Sequence, residues 1–250
     1  MLYLHTYYQP GSQISLDLRS CADDKTERNV QATVVKAFTP FTMSQVLLVE
    51  INSPILPPEQ TSFILKVIAV ARNPVLLHPW TLAAETTAAR RRAFGASTYL
   101  PTWWPDDADA AGWEEYYHAN LQQIFKNELS AYTRLLPLQG QCIPRCHAHG
   151  MLVVANSKRL VVPRVLLLSY IPGPSLRAVN PSRIPPAVGQ TLVETVRAFA
   201  ALGVIHDDLR LDNILISTAD DPFVIDFGNA GIRTDQSDEE WQEMLVENGD

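Results

Sequence analysis

The sequence predicts an α+β chain of two lobes, a sheet-rich lobe followed by a helix-rich one. Three observations carry this. Runs rich in Val, Ile, Phe and Thr cluster before residue 70 and again between 151 and 170. One long stretch with helical spacing separates the two sets. A breaker, Ile171-Pro172-Gly173-Pro174, then precedes a second helical stretch and two short strands. Strands, one helix, strands, a hinge, then helix and short strands is the order of two packed layers joined by a flexible link.

Residues 1–29 read as an irregular, polar leader. Strands are expected over Val30 to Phe38, Val46 to Ile51 and Phe63 to Val70, punctuated by Pro40, Pro54, Pro57 and Pro58. They suggest an antiparallel sheet. Residues 72–112 carry Arg90-Arg91-Arg92 and Trp103-Trp104-Pro105 and read as a partly helical insertion. From Trp113 to Leu136, Leu121, Ile124, Phe125, Leu129, Tyr132, Leu135 and Leu136 recur at spacings of three and four. That predicts a helix of roughly 36 Å, which Pro137 stops. Strands follow over Met151 to Ala155 and Arg164 to Tyr170, so the first lobe spans 30–170. A helix over 186–202 aligns Leu192, Val196, Phe199 and Leu202, and short strands follow at Ile214 to Ile216 and Phe223 to Ile225. The second lobe covers 171–233, and 234–250 is an acidic tail.

Composition excludes several classes. The chain has 250 residues, 46% hydrophobic and 19% charged, an ordinary globular balance. Apolar runs such as Val165-Leu166-Leu167-Leu168 fall far short of the roughly 18 residues of a membrane span. Met1 to Gln9 lack the basic start and apolar stretch of a signal peptide, so a cytoplasmic, intracellular protein is expected, with no membrane partner. The formal charge is −7, and residues 234–250 alone hold seven acids and no Lys or Arg. A neutral body with an acidic tail argues against nucleic acid as a partner, since phosphate binding needs a concentrated basic surface. Cys142, Cys146, His147 and His149 gather possible zinc ligands, but their spacing fits no common zinc module and Pro144 interrupts it, so a plain loop is the simpler reading.

The chemistry lies in two clusters. The first is Val204-Ile205-His206-Asp207-Asp208-Leu209-Arg210-Leu211-Asp212-Asn213-Ile214, and the second is Val224-Ile225-Asp226-Phe227-Gly228. In both, acids directly follow apolar residues. Carboxylates at buried strand ends ask for a compensating cation. Asp208, Asn213 and Asp226 offer three oxygen donors suited to Mg²⁺. Asp207, Asp208 and Asp212 would also suit turns, and Asp226 a strand cap.

Taken together, His206-x-Asp208-x-x-x-x-Asn213 and then Asp226-Phe227-Gly228 resemble the protein-kinase-like phosphotransferase superfamily in order and spacing. The resemblance covers roughly residues 30–230. It implies a two-lobed protein-kinase-like fold, with an N-terminal antiparallel sheet, one long helix and a truncated helical C-terminal lobe. It implies ATP and Mg²⁺ as cofactors. Lys66, in Phe63-Ile64-Leu65-Lys66-Val67, would meet the α/β-phosphates, held by Glu128, which shares the apolar stripe of the long helix. Outside that role, Lys66 would be an edge-strand or snorkelling lysine. Asn213 and Asp226 would hold the metal, and Asp208 would accept the proton of the attacking hydroxyl. His206 would brace the loop. The backbone of Ser169 and Ile171 would bind the adenine edge. The segment Asn127-Glu128-x-x-Ala131-Tyr132 with Leu138-Gln139-Gly140 after it is similar to uncharacterised kinase-like proteins of fungi.

Four departures from the family pattern bear on activity. No Gly-x-Gly-x-x-Gly lies in Lys36–Val46, where backbone would cover phosphate. Asp207 stands where regulated protein kinases carry Arg. No Ala-Pro-Glu follows the metal motif, and 22 residues follow Gly228. The loop without its Arg is similar to the small-molecule branch, such as aminoglycoside or choline kinases. The expected function is therefore phosphoryl transfer from nucleotide to a hydroxyl of a protein or a small molecule. A pseudokinase acting as a nucleotide-binding or protein-interaction scaffold is the alternative. Ser237-Asp238-Glu239-Glu240-Trp241 resembles a helix start, with Ser237 as cap.

Overall fold

The computed structural model describes residues 8–39, 44–69, 80–95, 104–154 and 157–247. It is mixed α/β, with an antiparallel sheet and four helices among the described residues. The chain divides into two compact units. One is Met1–Gln123 with His147–Leu167, and the other is Ile124–Cys146 with Leu168–Asp250. The sequence reading runs the first lobe to residue 170, whereas the structure groups 124–146 with the second unit. The reason is packing within that unit: Tyr132 meets Phe227 edge-on at 5.4 Å, and Val224 N donates to Cys142 O at 2.8 Å.

The first unit is built on six strands: β1 (Gln13–Ser20), β2 (Thr26–Phe38), β3 (Ser44–Ile51), β4 (Ser62–Ile68), β5 (Cys146–Val153) and β6 (Arg164–Ser169). Their order is β1-β2-β3-β4-β6-β5, and β1 pairs with β5 to close a barrel. Strand β1 corrects the expected irregular leader. Ile14, Leu16 and Leu18 alternate with Ser15, Asp17 and Arg19, and the apolar set is buried while its neighbours are not. Period-two alternation is the strand signal, and the polar half of it had given the segment a loop-like composition. Pairing shifts register between Leu16 and Leu18 and again between Val34 and Lys36. Such bulges add the bend and twist that closure needs. Leu16, Leu47, Phe63, Leu65 and Val67 fill the interior.

Closure depends on one glycine. Gly150 lies opposite Leu18, and a Cβ there would sit 1.9 Å from the Asp17 carbonyl oxygen.

Between β4 and β5 come α1 (Leu82–Ala93) and α2 (Ala110–Arg134). This agrees with a partly helical insertion; residues 70–79 and 96–103 lie outside the described residues. Thr81 caps α1, its hydroxyl accepting from Ala84 N at 3.1 Å. Glu85 on α1 is fully buried yet well served. Its carboxylate accepts from Trp80 Nε1 (2.9 Å), Arg159 Nε (3.1 Å) and Val161 N (3.1 Å). Burial pushes its acidity the unfavourable way, but the indole N–H, the Arg159 charge and the backbone donors outweigh it, so the carboxyl lies below its ordinary value of 4.5.

The second unit carries α3 (Pro186–Ala201), β7 (Val204–Ile205), β8 (Ile214–Ile216), β9 (Pro222–Val224), β10 (Gly231–Ile232) and α4 (Asp238–Glu247). Strand β7 pairs with β10, and β8 with β9. Most of the expected acidic tail is helix α4. Ser237 Oγ accepts from Glu240 N at 3.2 Å, while Glu240 Oε2 accepts from Ser237 N at 2.8 Å, a reciprocal capping box. Trp241 is buried against Ile205 and Ala200, and its Nε1 donates to Ala200 O at 3.2 Å. No helix among the described residues is long and apolar enough to cross a membrane.

Two tests address the first unit. Gly150→Ala forces β1 and β5 apart and should cost about 1–3 kcal/mol in chemical denaturation; wild-type stability would remove the close approach as a constraint. Because the folded Glu85 carboxyl is depressed, its stabilisation is complete above pH 4.5 and drains away as pH falls through the folded value. Tm measured against pH should fall below pH 4.5, and less steeply in Glu85→Gln.

Candidate functional site

The two clusters meet in the second unit. Strand β7 ends at Ile205 and delivers His206, which is 2% exposed. Asp208 N donates to His206 Nδ1 at 3.3 Å, so Nδ1 holds a lone pair. The other ring nitrogen, Nε2, then carries the proton and donates to Ile225 O at 3.0 Å, a tautomer assigned from this network. Ile225 N donates in turn to Asn213 O at 2.9 Å. One neutral imidazole and one backbone bond therefore tie the 206–213 loop to the strand end that presents Asp226.

Within the loop, Asn213 Nδ2 donates to Asp208 O at 2.9 Å and to Asp208 Oδ2 at 3.0 Å. Asn213 is buried in the turn Leu211–Asn213, directly before β8. With its nitrogen engaged, its Oδ1 is the atom left to ligate a cation. Arg210 Nη2 lies 3.3 Å from Asp208 Oδ2. Sequence reasoning did not single out Arg210; its signal was a basic residue two positions after the proposed catalytic acid.

Asp226 and Asp207 share an unusual feature. Their φ values are 70° and 54°, in the left-handed region that non-glycine residues rarely adopt. Such conformations persist where the surroundings over-determine them. At Asp226 the surroundings are aromatic. Phe227 is fully buried and packs against His206 (4.8 Å), Tyr132 (5.4 Å) and Phe199 (5.5 Å). Gly228 lets helix α2 approach: a Cβ there would lie 3.1 Å from Ile124 Cγ2, 3.4 Å from Asp226 Oδ1 and 3.9 Å from Glu128 Oε2. Asn127 Nδ2 donates to Gly228 O at 3.3 Å. The Glu128 and Asp226 carboxylates thus border the same glycine, and Glu128 is fully buried.

Tyr132 reports on that environment. Its hydroxyl is buried and has no hydrogen-bond partner among the described residues. Burial first, then the charges of Glu128, Cys146 and Asp226, push the phenol well above its ordinary value, so it stays neutral.

The remaining residues are placed as follows. Ser169 ends β6, and its N–H donates to Arg145 O at 2.9 Å. Ile171 follows in a half-exposed stretch. Lys66 belongs to the first unit, on β4 opposite Val46, and is 5% exposed. It alternates with Leu65 and Val67, which face the barrel interior, so it points from the other face of the strand. Strand β4 is paired on both sides, with β3 and β6, and Lys66 is buried, which is not the setting of an edge-strand or snorkelling lysine. Of the glycine-free stretch Lys36–Val46, residues 40–43 lie outside the described residues.

The donor set suits magnesium. Asn213 Oδ1 and the Asp226 carboxylate are hard oxygen ligands at adjoining strand ends, and Mg²⁺ commonly takes one or two carboxylates and completes its shell with phosphate and water. No group of three or more His, Cys, Asp or Glu among the described residues is arranged to hold a metal. In the Cys142–His149 cluster, His147 instead packs edge-on against Phe63 at 5.2 Å.

Removing the Tyr132 hydroxyl relieves an unsatisfied buried group, so Tyr132→Phe should match or exceed wild-type Tm. A fall of more than about 2 °C would indicate a bond that this geometry lacks.

Among curated proteins, no match to the chain was found. Residues 200–234, the stretch that holds His206, Asp208, Asn213 and Asp226, match the model of the phosphotransferase enzyme family APH, in support of the resemblance that those residues carry in the sequence.

Proposed function

We propose that this chain is a kinase-like phosphotransferase that moves the γ-phosphoryl group of Mg·ATP onto a hydroxyl of a protein or a small molecule. The observation that carries the reading is the bonded constellation His206–Asp208–Asn213, tied through the Ile225 peptide to the strand end that precedes Asp226, inside the segment that matches a phosphotransferase family. In this reading the barrel unit corresponds to the N-terminal lobe of the family.

Magnesium, when bound, neutralises and orients the phosphate oxygens. This chain's residues then divide the work. Asn213 Oδ1 and the Asp226 carboxylate hold the ion. Lys66 contributes a positive charge to the α/β-phosphates, oriented by Glu128. The backbone of Ser169 and Ile171 binds the adenine edge. Asp208, fixed by Asn213 and Arg210, orients the acceptor hydroxyl and receives its proton. Phosphoryl transfer asks chiefly for positioning and charge stabilisation, which these groups supply. A scaffold role is the second reading, and the glycine-free stretch Lys36–Val46 favours it.

Thermal shift with Mg·ATP separates nucleotide binding from none. At a hundredfold excess over its Kd the ligand should add about 2.7 kcal/mol of stability. Asp208→Asn should keep that shift and lower γ-phosphate turnover by about 10²–10⁴-fold, and Lys66→Ala should weaken both. Binding without turnover in the wild type favours the scaffold; no shift at millimolar Mg·ATP removes the nucleotide from either reading.

A further inference from the structure

Beside the constellation lies an ion pair that no step above uses. Arg177 Nε donates to both carboxylate oxygens of Asp212, at 2.8 and 2.7 Å. Arg177 sits in the short turn Leu176–Ala178, after the Pro172-Gly173-Pro174 breaker. Asp212 sits in the turn Leu211–Asn213, next to the residue that contacts Asp208. The two segments run antiparallel. Ile216 N donates to Pro174 O at 3.0 Å, Ser175 bridges Leu215, and the Arg177–Asp212 pair lies further along the same two segments. The ion pair is thus the outermost rung of a short ladder whose end is the Asn213 turn.

Both side chains are about half exposed, 58% and 47%. Exposed pairs add little to global stability. The consequence of this one is local. Asn213 N donates to Arg210 O at 2.8 Å and Asn213 O accepts from Ile225 N at 2.9 Å, which holds the peptides on either side of it. The preceding side chain, gripped by Arg177, adds a tie from the turn to the 174–177 segment. Rotation of the turn would swing Asn213 away from Asp208.

We propose that Arg177 and Asp212 are positioning residues: their ion pair clamps the turn that aims Asn213 at the metal–nucleotide site. The metal role of Asn213 rests on the phosphotransferase reading; the clamp itself rests on the bonds above. The test uses the full chain with two readouts. Hydrogen exchange of the nucleotide-free protein reads the clamp alone. In Arg177→Ala and Asp212→Asn, amides over 209–216 should exchange about 2- to 5-fold faster, with the barrel amides unchanged. The reversed pair Arg177→Asp with Asp212→Arg should recover most of the protection, and Arg177→Lys only part of it, since an ammonium lacks the planar guanidinium geometry. The second readout is the Mg²⁺ concentration that half-saturates the Mg·ATP thermal shift. It should rise about 10-fold in both single variants, as for a group that supports a metal ligand.

Wild-type exchange over 209–216 in both single variants would overturn the clamp. Faster exchange with an unchanged Mg²⁺ requirement would overturn its positioning role. If the wild-type chain shows no Mg·ATP shift, the phosphotransferase reading fails, and the exchange data alone decide the clamp.

Discussion

The second unit is organised around an imidazole that must be neutral. His206 uses both ring nitrogens, one as acceptor for Asp208 N–H and one as donor to Ile225 O. Each bond reaches a different loop, so a single side chain sets the distance between the 206–213 turn and the Asp226 strand end. A second proton on the ring would turn Nδ1 into a donor facing the Asp208 N–H, and that bond would be lost. Phe227 supports this arrangement from below by packing on the imidazole and on two further rings. The left-handed backbone at Asp226 is held between these two anchors, a bonded carbonyl on one side and a buried ring on the other. Local strain at that residue persists because its neighbours have nowhere else to go.

The first unit solves a different problem. Its barrel packs a large apolar cluster, whereas its helices bury charge. Glu85 has three donors and is satisfied. Glu115, also buried, has no hydrogen-bond partner among the described residues, and Arg91 lies 3.6 Å from it. Arg159 spans from Glu85 to Glu114, at 3.1 and 3.7 Å. Buried ion pairs add little net stability, but removing one partner leaves an uncompensated charge. The α1 and 157–161 segments are therefore coupled through electrostatics rather than through apolar area.

How much of this was legible in the sequence depends on whether the signal is local. The capping box at Ser237 and Glu240 was readable because both halves lie within one turn. The Asp208, Asn213 and Asp226 set was readable because acids after apolar strands stand out against the chemistry of burial. Strand β1 was missed because Asp17 and Arg19, on its outer face, dominated its composition and hid the alternation of Ile14, Leu16 and Leu18. Barrel closure follows from that same strand and could not be seen without it. The Arg177–Asp212 pair joins residues 35 positions apart, and nothing near either one announces the other. The orphaned Tyr132 hydroxyl is partly of the same kind, since Cys146 and Asp226, which help to set its environment, lie on other elements.

The bonds that fix the 206–213 loop have one property in common. All run to groups of the same unit: a neutral imidazole, the Ile225 peptide, the Asn213 amide, and two ion pairs at Arg177 and Arg210. None requires an added phosphate. In regulated protein kinases, the residue at the Asp207 position is an Arg that reads a phosphorylated segment. Here that position is an acid in a left-handed turn, exposed and unable to pair with a phosphate. A loop held by its own hydrogen bonds is preorganised, and preorganised donors and acceptors need no rearrangement when charge develops. The geometry therefore favours a loop that is assembled at folding by bonds within its own unit, with no modification of the loop needed to set it.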